Sequence, residues 1–397
     1  MQTLKSDRLH ISFFGKTNVG KSSLINKITG QDISIVSEIA GTTTDVVEKS
    51  MELLPIGPVR FLDTAGIDDK TALAENRLEK TLKVINRTDV AVIVSDYKGI
   101  DNYEKDLVTK FDEFGIPYII LMNKTDVEQP PENVLSDLYT ITPHIIFTSA
   151  LNDSDLTFKF KSELINLLPD DFLDTPKIAG DLIPKKSTVI LVVPIDKEAP
   201  KGRLILPQVQ TIRDLLDSDC LCYTVKETEL RQALDNLKEP PALVITDSQA
   251  FKKVSEIVPE NIPLTSFSIL FARLKGDLNA FKNGAKAIEN LKDGDKILIL
   301  ESCTHHAIED DIGKVKIPNL LRKKTGKDIV IEHYSGHDFP DISKYSLIIH
   351  CGACMTNRRE ILSRILVANK TNVPITNYGI TISYCLGILD RAIKIFE

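Results

Sequence analysis

The sequence predicts a chain of three α/β domains with mostly parallel sheets, and three observations favour this fold class. Apolar runs of about four to eight residues alternate with helical stretches along the chain, which is typical of parallel sheets flanked by helices. A length of 397 residues allows about two to four domains, because a domain averages about 100 to 200 residues. Prolines without a strong period at residues 168–186 indicate a linker. We therefore predict domains at residues 1–170, 180–264 and 265–397, with no internal repeat.

The first domain is predicted as a mostly parallel sheet. Its apolar runs predict strands at residues 10–14, 59–62, 90–94, 118–122 and 145–148, and a helical stretch at 23–28 follows the first strand. Polar motifs come directly after four of these strands. Because the carboxyl ends of parallel strands meet at one edge of a sheet, these motifs are expected to converge there.

The second and third domains are predicted as two further α/β units. The second, a small unit, has strands at 188–193, 220–225 and 242–246, with helices that begin near Thr211, Thr228 and Gln249. The third begins with a long helical region at 265–291, followed by strands at 296–300, 329–333 and 345–350 and a helix at 356–367.

Composition excludes several classes of protein. Lys and Arg total 49 against 56 Asp and Glu, and a net charge of −7 argues against a chain that coats nucleic acid or an anionic membrane. No apolar run reaches the ~18 residues that cross a bilayer, and the first residues lack a secretory signal pattern. We expect a cytoplasmic protein with neither nucleic acid nor membrane among its partners. Six cysteines in a reducing compartment are then better interpreted as metal ligands than as disulfides.

The strand at 10–14 runs into a glycine-rich loop that predicts a phosphate site. The loop reads Gly15-Lys-Thr-Asn-Val-Gly20-Lys21-Ser22, and Ser23 continues into the helix. Glycines let consecutive N–H groups face phosphates, and the helix start adds its dipole. Lys21 is expected to reach the β and γ phosphates and Ser22 to hold Mg²⁺.

Three more motifs extend this site and select the base. Asp63-Thr-Ala-Gly66 places a carboxylate near Mg²⁺ and a glycine N–H near the γ-phosphate. Asn123-Lys124-Thr-Asp126 offers, at Asp126, a carboxylate that accepts two hydrogen bonds from guanine, and adenine cannot donate them. Ser149-Ala150 provides a backbone contact to the guanine carbonyl. Four ordered motifs at strand ends predict GTP binding.

This first domain resembles the Era and TrmE-like branch of the translation-factor GTPases over about residues 8–170. The segment Ile39-Ala-Gly-Thr-Thr-Thr-Asp45 is similar to that branch's switch I, with Thr44 in place of its arginine. The resemblance implies that Thr43 binds Mg²⁺ and that Asn18 helps to hold K⁺. Ile67 stands where Ras-like enzymes place the water-orienting glutamine, so we expect slow, K⁺-stimulated hydrolysis to which Lys21, Thr43, Asp63 and Gly66 contribute.

The third domain carries a cysteine and histidine constellation at two predicted strand ends. One strand leads into Cys303 and His305, and the other ends in His350-Cys351-Gly-Ala-Cys354. Both would emerge at one sheet edge, before a helix whose N-terminus favours thiolates. The chemistry leaves two alternatives open, a Cys₃His zinc site and an iron–sulfur cluster with one ligand other than cysteine. By contrast, Cys220, Cys222 and Cys385 are predicted to be core residues.

With these signatures the whole chain resembles the [FeFe]-hydrogenase maturation GTPases. The resemblance implies that Cys303, Cys351 and Cys354 bind a [4Fe–4S] cluster. Its fourth ligand is left open among His305, His350, Glu309, Asp310 and an exogenous ligand. The resemblance further implies a scaffold that takes up a transient diiron subcluster precursor made with two radical-SAM maturases and delivers it to apo-[FeFe]-hydrogenase. The middle domain would form a homodimer or a larger assembly.

Two alternatives compete with this interpretation. The first is an RNA-modification or ribosome-assembly GTPase with a structural zinc module, and the second is a GTP-gated iron or zinc regulator. The acidic balance and the three rather than four clustered cysteines favour the scaffold over the first alternative.

Overall fold

The computed structural model describes residues 8–30, 47–54, 56–64, 81–168, 177–194, 204–301, 312–336, 339–352 and 356–397. The chain forms two compact units, Met1–Thr175 and Pro176–Glu397. The predicted α/β class is confirmed in both, whereas the domain boundaries placed at 170, 180 and 264 stay predictions. No helix in the described ranges is long and apolar enough to cross a membrane.

The first unit is built on one mixed sheet. Its strands are β1 (Leu9–Phe14), β2 (Val47–Leu53), β3 (Gly57–Asp63), β4 (Val90–Ser95), β5 (Tyr118–Met122) and β6 (Ile145–Phe147), in the order β2-β3-β1-β4-β5-β6. Only β2 is antiparallel among these strands, and it pairs with β3. Its helices include α1 (Lys21–Thr29), α2 (Asn102–Phe114), α3 (Glu132–Ile141) and α4 (Leu156–Leu167). The five predicted strands are confirmed. The edge strand β2 escaped prediction because its exposed and half-buried residues alternate and it lacks an apolar run.

Two apolar layers cover the faces of this sheet. Phe13 packs with Phe61 and Phe160 on one face, while Phe14 packs with Phe111 on the other. All residues of β1, β4 and β5 are buried. Burial on both faces explains why these strands appear in the sequence as continuous apolar runs.

The second unit contains two parallel four-stranded sheets. The first comprises β7 (Thr188–Val192), β8 (Leu221–Val225), β9 (Leu243–Thr246) and β10 (Leu264–Ser266), and the second β11 (Lys296–Glu301), β12 (Val330–Ser335), β13 (Leu347–His350) and β14 (Ile375–Asn377). The helices are α5 (Leu206–Asp217), α6 (Leu230–Asp235), α7 (Phe251–Ile257), α8 (Phe267–Lys275), α9 (Leu278–Lys286), α10 (Ile317–Thr325), α11 (Arg358–Lys370), α12 (Tyr378–Cys385) and α13 (Leu389–Ile393). One hydrophobic core runs through both sheets, because Ile190 and Val244 belong to the same cluster as Leu298 and Ile348.

The expected long helical region at 265–291 is wrong. Thr265 and Ser266 belong to β10, and the helical residues divide into α8, α9 and a 3₁₀ turn at Ala287–Asn290. Ser266 caps α8 by accepting from the Ile269 N–H at 3.3 Å, and Asp277 caps α9 by accepting from the Ala280 N–H at 3.0 Å. Two side-chain caps within one apolar stretch therefore start two separate helices.

The expectation of no internal repeat is also wrong, because the two sheets of the second unit share one topology. Their orders, β8-β7-β9-β10 and β12-β11-β13-β14, are the same when each set is numbered from its first strand. Their registers also correspond. In the first sheet Thr246 of β9 pairs with Val192 of β7 and Ser266 of β10. In the second sheet His350 of β13 pairs in the same way with Leu300 of β11 and Asn377 of β14.

Short sequence similarities accompany this repeat. Residues 261–267 read Asn-Ile-Pro-Leu-Thr-Ser-Phe and residues 372–378 read Asn-Val-Pro-Ile-Thr-Asn-Tyr, and in each the sixth residue caps the following helix. The helices α5 and α10 both carry proline in their first turn. A Cβ on Gly379 would lie 2.5 Å from Cβ of Ser268, so matching positions of α8 and α12 meet directly. The repeat escaped sequence reading because its similarity is confined to short segments between loops of unequal length.

Candidate functional sites

A cavity of about 610 Å³ lies at the carboxyl edge of the first sheet. It brings together ten of the residues that the sequence predicted for nucleotide binding: Asn18, Gly20, Lys21, Ser22, Ser23, Asn123, Lys124, Asp126, Ser149 and Ala150. Thr17, Val127 and Leu151 complete its lining. The predicted Thr43 and Gly66 lie outside the described residues.

The glycine-rich loop has the close backbone approaches that its sequence predicts. Gly15 has φ +137°, and a Cβ there would lie 2.2 Å from the Val94 carbonyl oxygen. Gly20 has φ +99°, and its Cβ would lie 2.3 Å from Asn123 Nδ2. Any larger residue at either position is strained and collides with a neighbour. The buried Lys21 ammonium donates to the Gly15 carbonyl oxygen at 2.5 Å, which holds it against the loop.

Ser22 and Asp63 meet at the start of α1. Ser22 Oγ donates to Asp63 Oδ2 at 2.5 Å, although the two residues are 41 positions apart in sequence. Asp63 is the last residue of β3 and is buried. A hydroxyl and a carboxylate at this distance form an oxygen pair of the kind that Mg²⁺ prefers.

Asn123 connects three of the loops that line the cavity. Its side chain is 2% exposed, and Nδ2 donates to the Val19 carbonyl oxygen at 2.8 Å. Its Oδ1 accepts from the Ala150 N–H at 3.0 Å. Lys124 Nζ adds a second link by donating to the Asn18 carbonyl oxygen at 2.6 Å. The motif that carries Asn123 therefore joins the glycine-rich loop to the Ser149-Ala150 loop.

Two groups at this site were missed by sequence reasoning. Asn152 Nδ2 donates to Asp126 Oδ2 at 3.0 Å and so orients the carboxylate assigned to guanine. Lys16 Nζ lies 2.6 Å from Asp101 Oδ2 and 3.8 Å from Glu104 Oε2 at the start of α2. Burial, followed by the hydrogen bond with Asp101, raises the pKa of Glu104 to about 7. A capping-box signature at Asp101 and Glu104 marks the helix start, but nothing local predicts the contact with Lys16.

The carboxyl edge of the β11–β13 sheet carries the predicted cluster residues. His350 pairs with Leu300, and the Cys351 N–H donates to the Leu300 carbonyl oxygen at 2.8 Å. Cys351 thus lies one residue beyond β13 beside the end of β11, the strand that leads to Cys303. Cys303, His305 and Cys354 lie outside the described residues, as do Glu309 and Asp310.

His350 is buried and has a partner at each ring nitrogen. Nδ1 lies 2.8 Å from the Cys351 carbonyl oxygen, and Nε2 lies 2.6 Å from Arg364 Nη1. Burial, and then the charge of Arg364, lowers the pKa of His350 to about 3. The imidazole is therefore neutral at pH 7.

A buried ammonium and a helix N-terminus lie at the same edge. Lys275, 5% exposed, donates from Nζ to the Thr356 carbonyl oxygen at 3.0 Å. Asn357 caps α11 and accepts from the Glu360 N–H at 3.3 Å, so the helix begins at Arg358, four residues after Cys354 in the sequence. A buried ammonium and a helix N-terminus both stabilise thiolates. These surroundings suit the thiolate of Cys351, and the described residues alone contain no group of three metal-binding side chains.

The remaining cysteines lie in apolar surroundings, as predicted. Cys220 is buried in a cluster that Cys222 contacts, and Cys385 packs against the main core of the unit. Burial raises the pKa of all three thiols, that of Cys385 to about 11. They are core residues.

Family models match the second unit almost from end to end. The hydrogen maturase F dimerization domain matches residues 178–276, and the hydrogen maturase F tetramerization domain matches residues 279–395. The chain belongs to the hydrogen maturase F family. A model of the 50S ribosome-binding GTPase domain matches residues 10–124. The chain therefore has the hydrogen maturase F arrangement of a GTPase domain followed by two association domains.

Individual curated GTPases are similar to part of this chain. The tRNA modification GTPase MnmE of Mesoplasma florum is 33% identical over 42% of this chain and 36% of its own length. GTPase Der of Kosmotoga olearia is 36% identical over 37% of this chain and 36% of its own length. This chain thus covers less than half of the length of either relative. A crystal structure of Era from Aquifex aeolicus matches with 21% identity and a TM-score of 0.33, over 55% of this chain and 93% of that one.

Proposed function

We propose that this chain is a GTP-hydrolysing scaffold and carrier in the maturation of [FeFe]-hydrogenase. One observation carries the proposal: two hydrogen maturase F domains follow a nucleotide-binding unit and include a sheet edge with a cysteine motif. The cargo would be a transient diiron subcluster precursor. Its partners would be two radical-SAM maturases and the apo-hydrogenase.

The first unit would bind GTP with Mg²⁺. Lys21 would neutralise the β and γ phosphates, and the 2.5 Å pair of Ser22 and Asp63 would hold Mg²⁺, with Thr43 as a further ligand and the Gly66 N–H at the γ-phosphate. Asp126, oriented by Asn152, would select guanine. Asn18, which lines the cavity, would help to hold the K⁺ that compensates for the missing glutamine.

The second sheet of the second unit would bind the [4Fe–4S] cluster through Cys303, Cys351 and Cys354. The fourth ligand would be His305, His350, Glu309, Asp310 or an exogenous group. Such a cluster supplies an iron with one exchangeable position, which suits a site that accepts and releases cargo. Lys275 and the N-terminus of α11 would stabilise the negative charge of the thiolates.

Self-association would use the dimerization and tetramerization domains. In the first, β8 is an edge strand, and its Leu221 and Tyr223 are 58% and 46% exposed. An edge strand with exposed apolar side chains is a template for pairing with the same strand of a second chain. We propose that β8 lies in the homodimer interface.

Anaerobic reconstitution with iron and sulfide tests the cluster proposal. The wild-type chain should bind about four iron atoms and give the EPR signal of a reduced [4Fe–4S] cluster. Alanine at Cys303, Cys351 or Cys354 should abolish both, whereas the control Cys385→Ala, in the apolar core, should retain both. Stoichiometric zinc without iron in the wild type would instead favour an RNA-modification or ribosome-assembly GTPase with a zinc module.

A further inference from the structure

Three buried side chains form a hydrogen-bonded network beside the cysteine motif. Arg364 Nη2 donates to Glu360 Oε1 at 2.6 Å, and Arg364 Nη1 lies 2.6 Å from His350 Nε2. His350, Glu360 and Arg364 are 1%, 3% and 2% exposed. A carboxylate, a guanidinium and an imidazole so deeply buried require each other as partners, because each loses its hydration.

The network also holds backbone groups of three strand ends. Arg364 Nη2 donates to the Gly336 carbonyl oxygen, just beyond β12, at 3.0 Å. The Gly336 N–H donates to the carbonyl oxygen of Glu301, the last residue of β11, at 2.8 Å. His350 Nδ1 reaches the Cys351 carbonyl oxygen at 2.8 Å. Arg364 therefore connects the end of β13, through His350, to the end of β12 at Gly336, which in turn contacts the end of β11.

The internal repeat provides a control within the same chain. Thr246 occupies the register position of His350 in the first sheet. Counted from the first residues of α7 and α11, Lys253 and Ile257 match Glu360 and Arg364. The copy of the fold without clustered cysteines therefore lacks all three network residues. The network is thus not a requirement of this topology, and it accompanies the cysteine motif.

The hydrogen-bonding capacity of the side chains fixes the direction of the network. A guanidinium has donors and no acceptor, so His350 Nε2 must accept from Arg364. The ring proton then lies on Nδ1 and is donated to the Cys351 carbonyl oxygen. Because Arg364 already uses the Nε2 lone pair, that nitrogen can bind iron only if a buried guanidinium loses a partner.

We propose that Arg364, oriented by Glu360, is a positioning residue that fixes the Cys351 loop through His350, and that His350 is not the fourth ligand. This inference rests on the proposed cluster site. Outer partners of this kind hold the ligands of a metal centre in their binding geometry. The fourth ligand then remains among His305, Glu309, Asp310 and an exogenous ligand.

Thiol reactivity in the iron-free, full-length chain provides the first test. Cys351 would be labelled with iodoacetamide in the wild type, Arg364→Lys and Glu360→Gln, and the labelled peptides would be quantified by mass spectrometry. Both substitutions should raise the Cys351 rate by about tenfold, equivalent to about 1.4 kcal/mol of local opening. Cys222, in the other sheet, should react at an unchanged rate. Thr246→Val, at the position that matches His350, should alter neither rate.

Pulsed EPR of the reconstituted chain provides the second test. Arg364→Lys and Glu360→Gln should shift the signal of the reduced cluster while iron content persists, and His350→Gln should keep whatever nitrogen coupling the wild type shows. Loss of a strongly coupled nitrogen in His350→Gln would overturn the proposal. So would Cys351 rates within twofold of the wild type in both network variants. Glu360→Gln retains the shape of the side chain but removes the carboxylate charge that orients Arg364, so it gives the answer even if Arg364→Lys does not fold. If the wild-type chain binds only zinc, the proposed function is wrong. The labelling comparison would still show whether Arg364 and Glu360 fix the Cys351 loop.

Discussion

Replacing Asn123 by alanine should separate the loops of the nucleotide cavity. The substitution removes the donor to the Val19 carbonyl oxygen at 2.8 Å and the acceptor of the Ala150 N–H at 3.0 Å. Both backbone groups lose a partner at a site where the Asn123 side chain is 2% exposed. Each buried polar group left unsatisfied costs about 1 to 3 kcal/mol, so the loss of partners for these two groups should cost the assembled cavity about 2 to 6 kcal/mol.

Nucleotide affinity measures this loss, because binding must reassemble the separated loops. A loss of about 2 to 6 kcal/mol corresponds to about 30- to 20,000-fold weaker binding of GDP, measured by calorimetry or with a fluorescent analogue. Hydrogen exchange should increase in the glycine-rich loop and in the Ser149-Ala150 loop, which lie more than 120 residues apart in sequence. Asn123→Asp, which places a second oxygen against Val19, should be at least as severe.

The matched control is Asn133→Ala on α3, where the side chain is exposed and the residue type and the unit are the same. It should bind GDP as the wild type does. GDP affinity of Asn123→Ala within twofold of the wild type, with unchanged hydrogen exchange, would refute the idea that Asn123 connects these loops.

Two further predictions concern the first unit. Burial raises the pKa of Glu104 to about 7 from 4.5, so the stability that its protonated form contributes is fully present below about pH 4.5 and is lost as pH rises through 7. The wild-type chain should therefore lose at most about 3 kcal/mol of unfolding free energy between pH 5 and 8, and Glu104→Gln should not show this loss. Calorimetric unfolding of both proteins measures the difference. The same pH profile in both proteins would contradict this assignment. The wild-type chain should hydrolyse GTP faster in KCl than in NaCl at equal ionic strength, and Asn18→Ala should abolish that difference. Equal wild-type rates in the two salts would remove K⁺ from the mechanism.

The sequence by itself determined the parts that depend on local chemistry. Strand β5 and the Asn123 motif that follows it could be read directly, because a strand buried on both faces is a continuous apolar run and the motif starts where the run ends. The same logic located Asp63 and Cys351 at strand ends and Lys21 at the start of the helix that follows β1. Parallel strands then brought most of the described nucleotide residues to one cavity without further information.

Tertiary structure decided which of these residues contact each other and which of their polar atoms are already used by a neighbouring side chain. The sequence proposed His350 as a ligand because it lies beside Cys351, but its ring contacts Arg364, which is 14 residues away on α11. Two further contacts join segments distant in sequence, because Lys275 donates to Thr356 and Lys16 lies beside Asp101. Strand register likewise decides that Thr246 takes the position of His350 in the other sheet. Such pairings depend on the packing of elements and on strand register. The spacing of motifs predicts neither the packing of elements nor strand register, because it constrains only residues that are near in the chain.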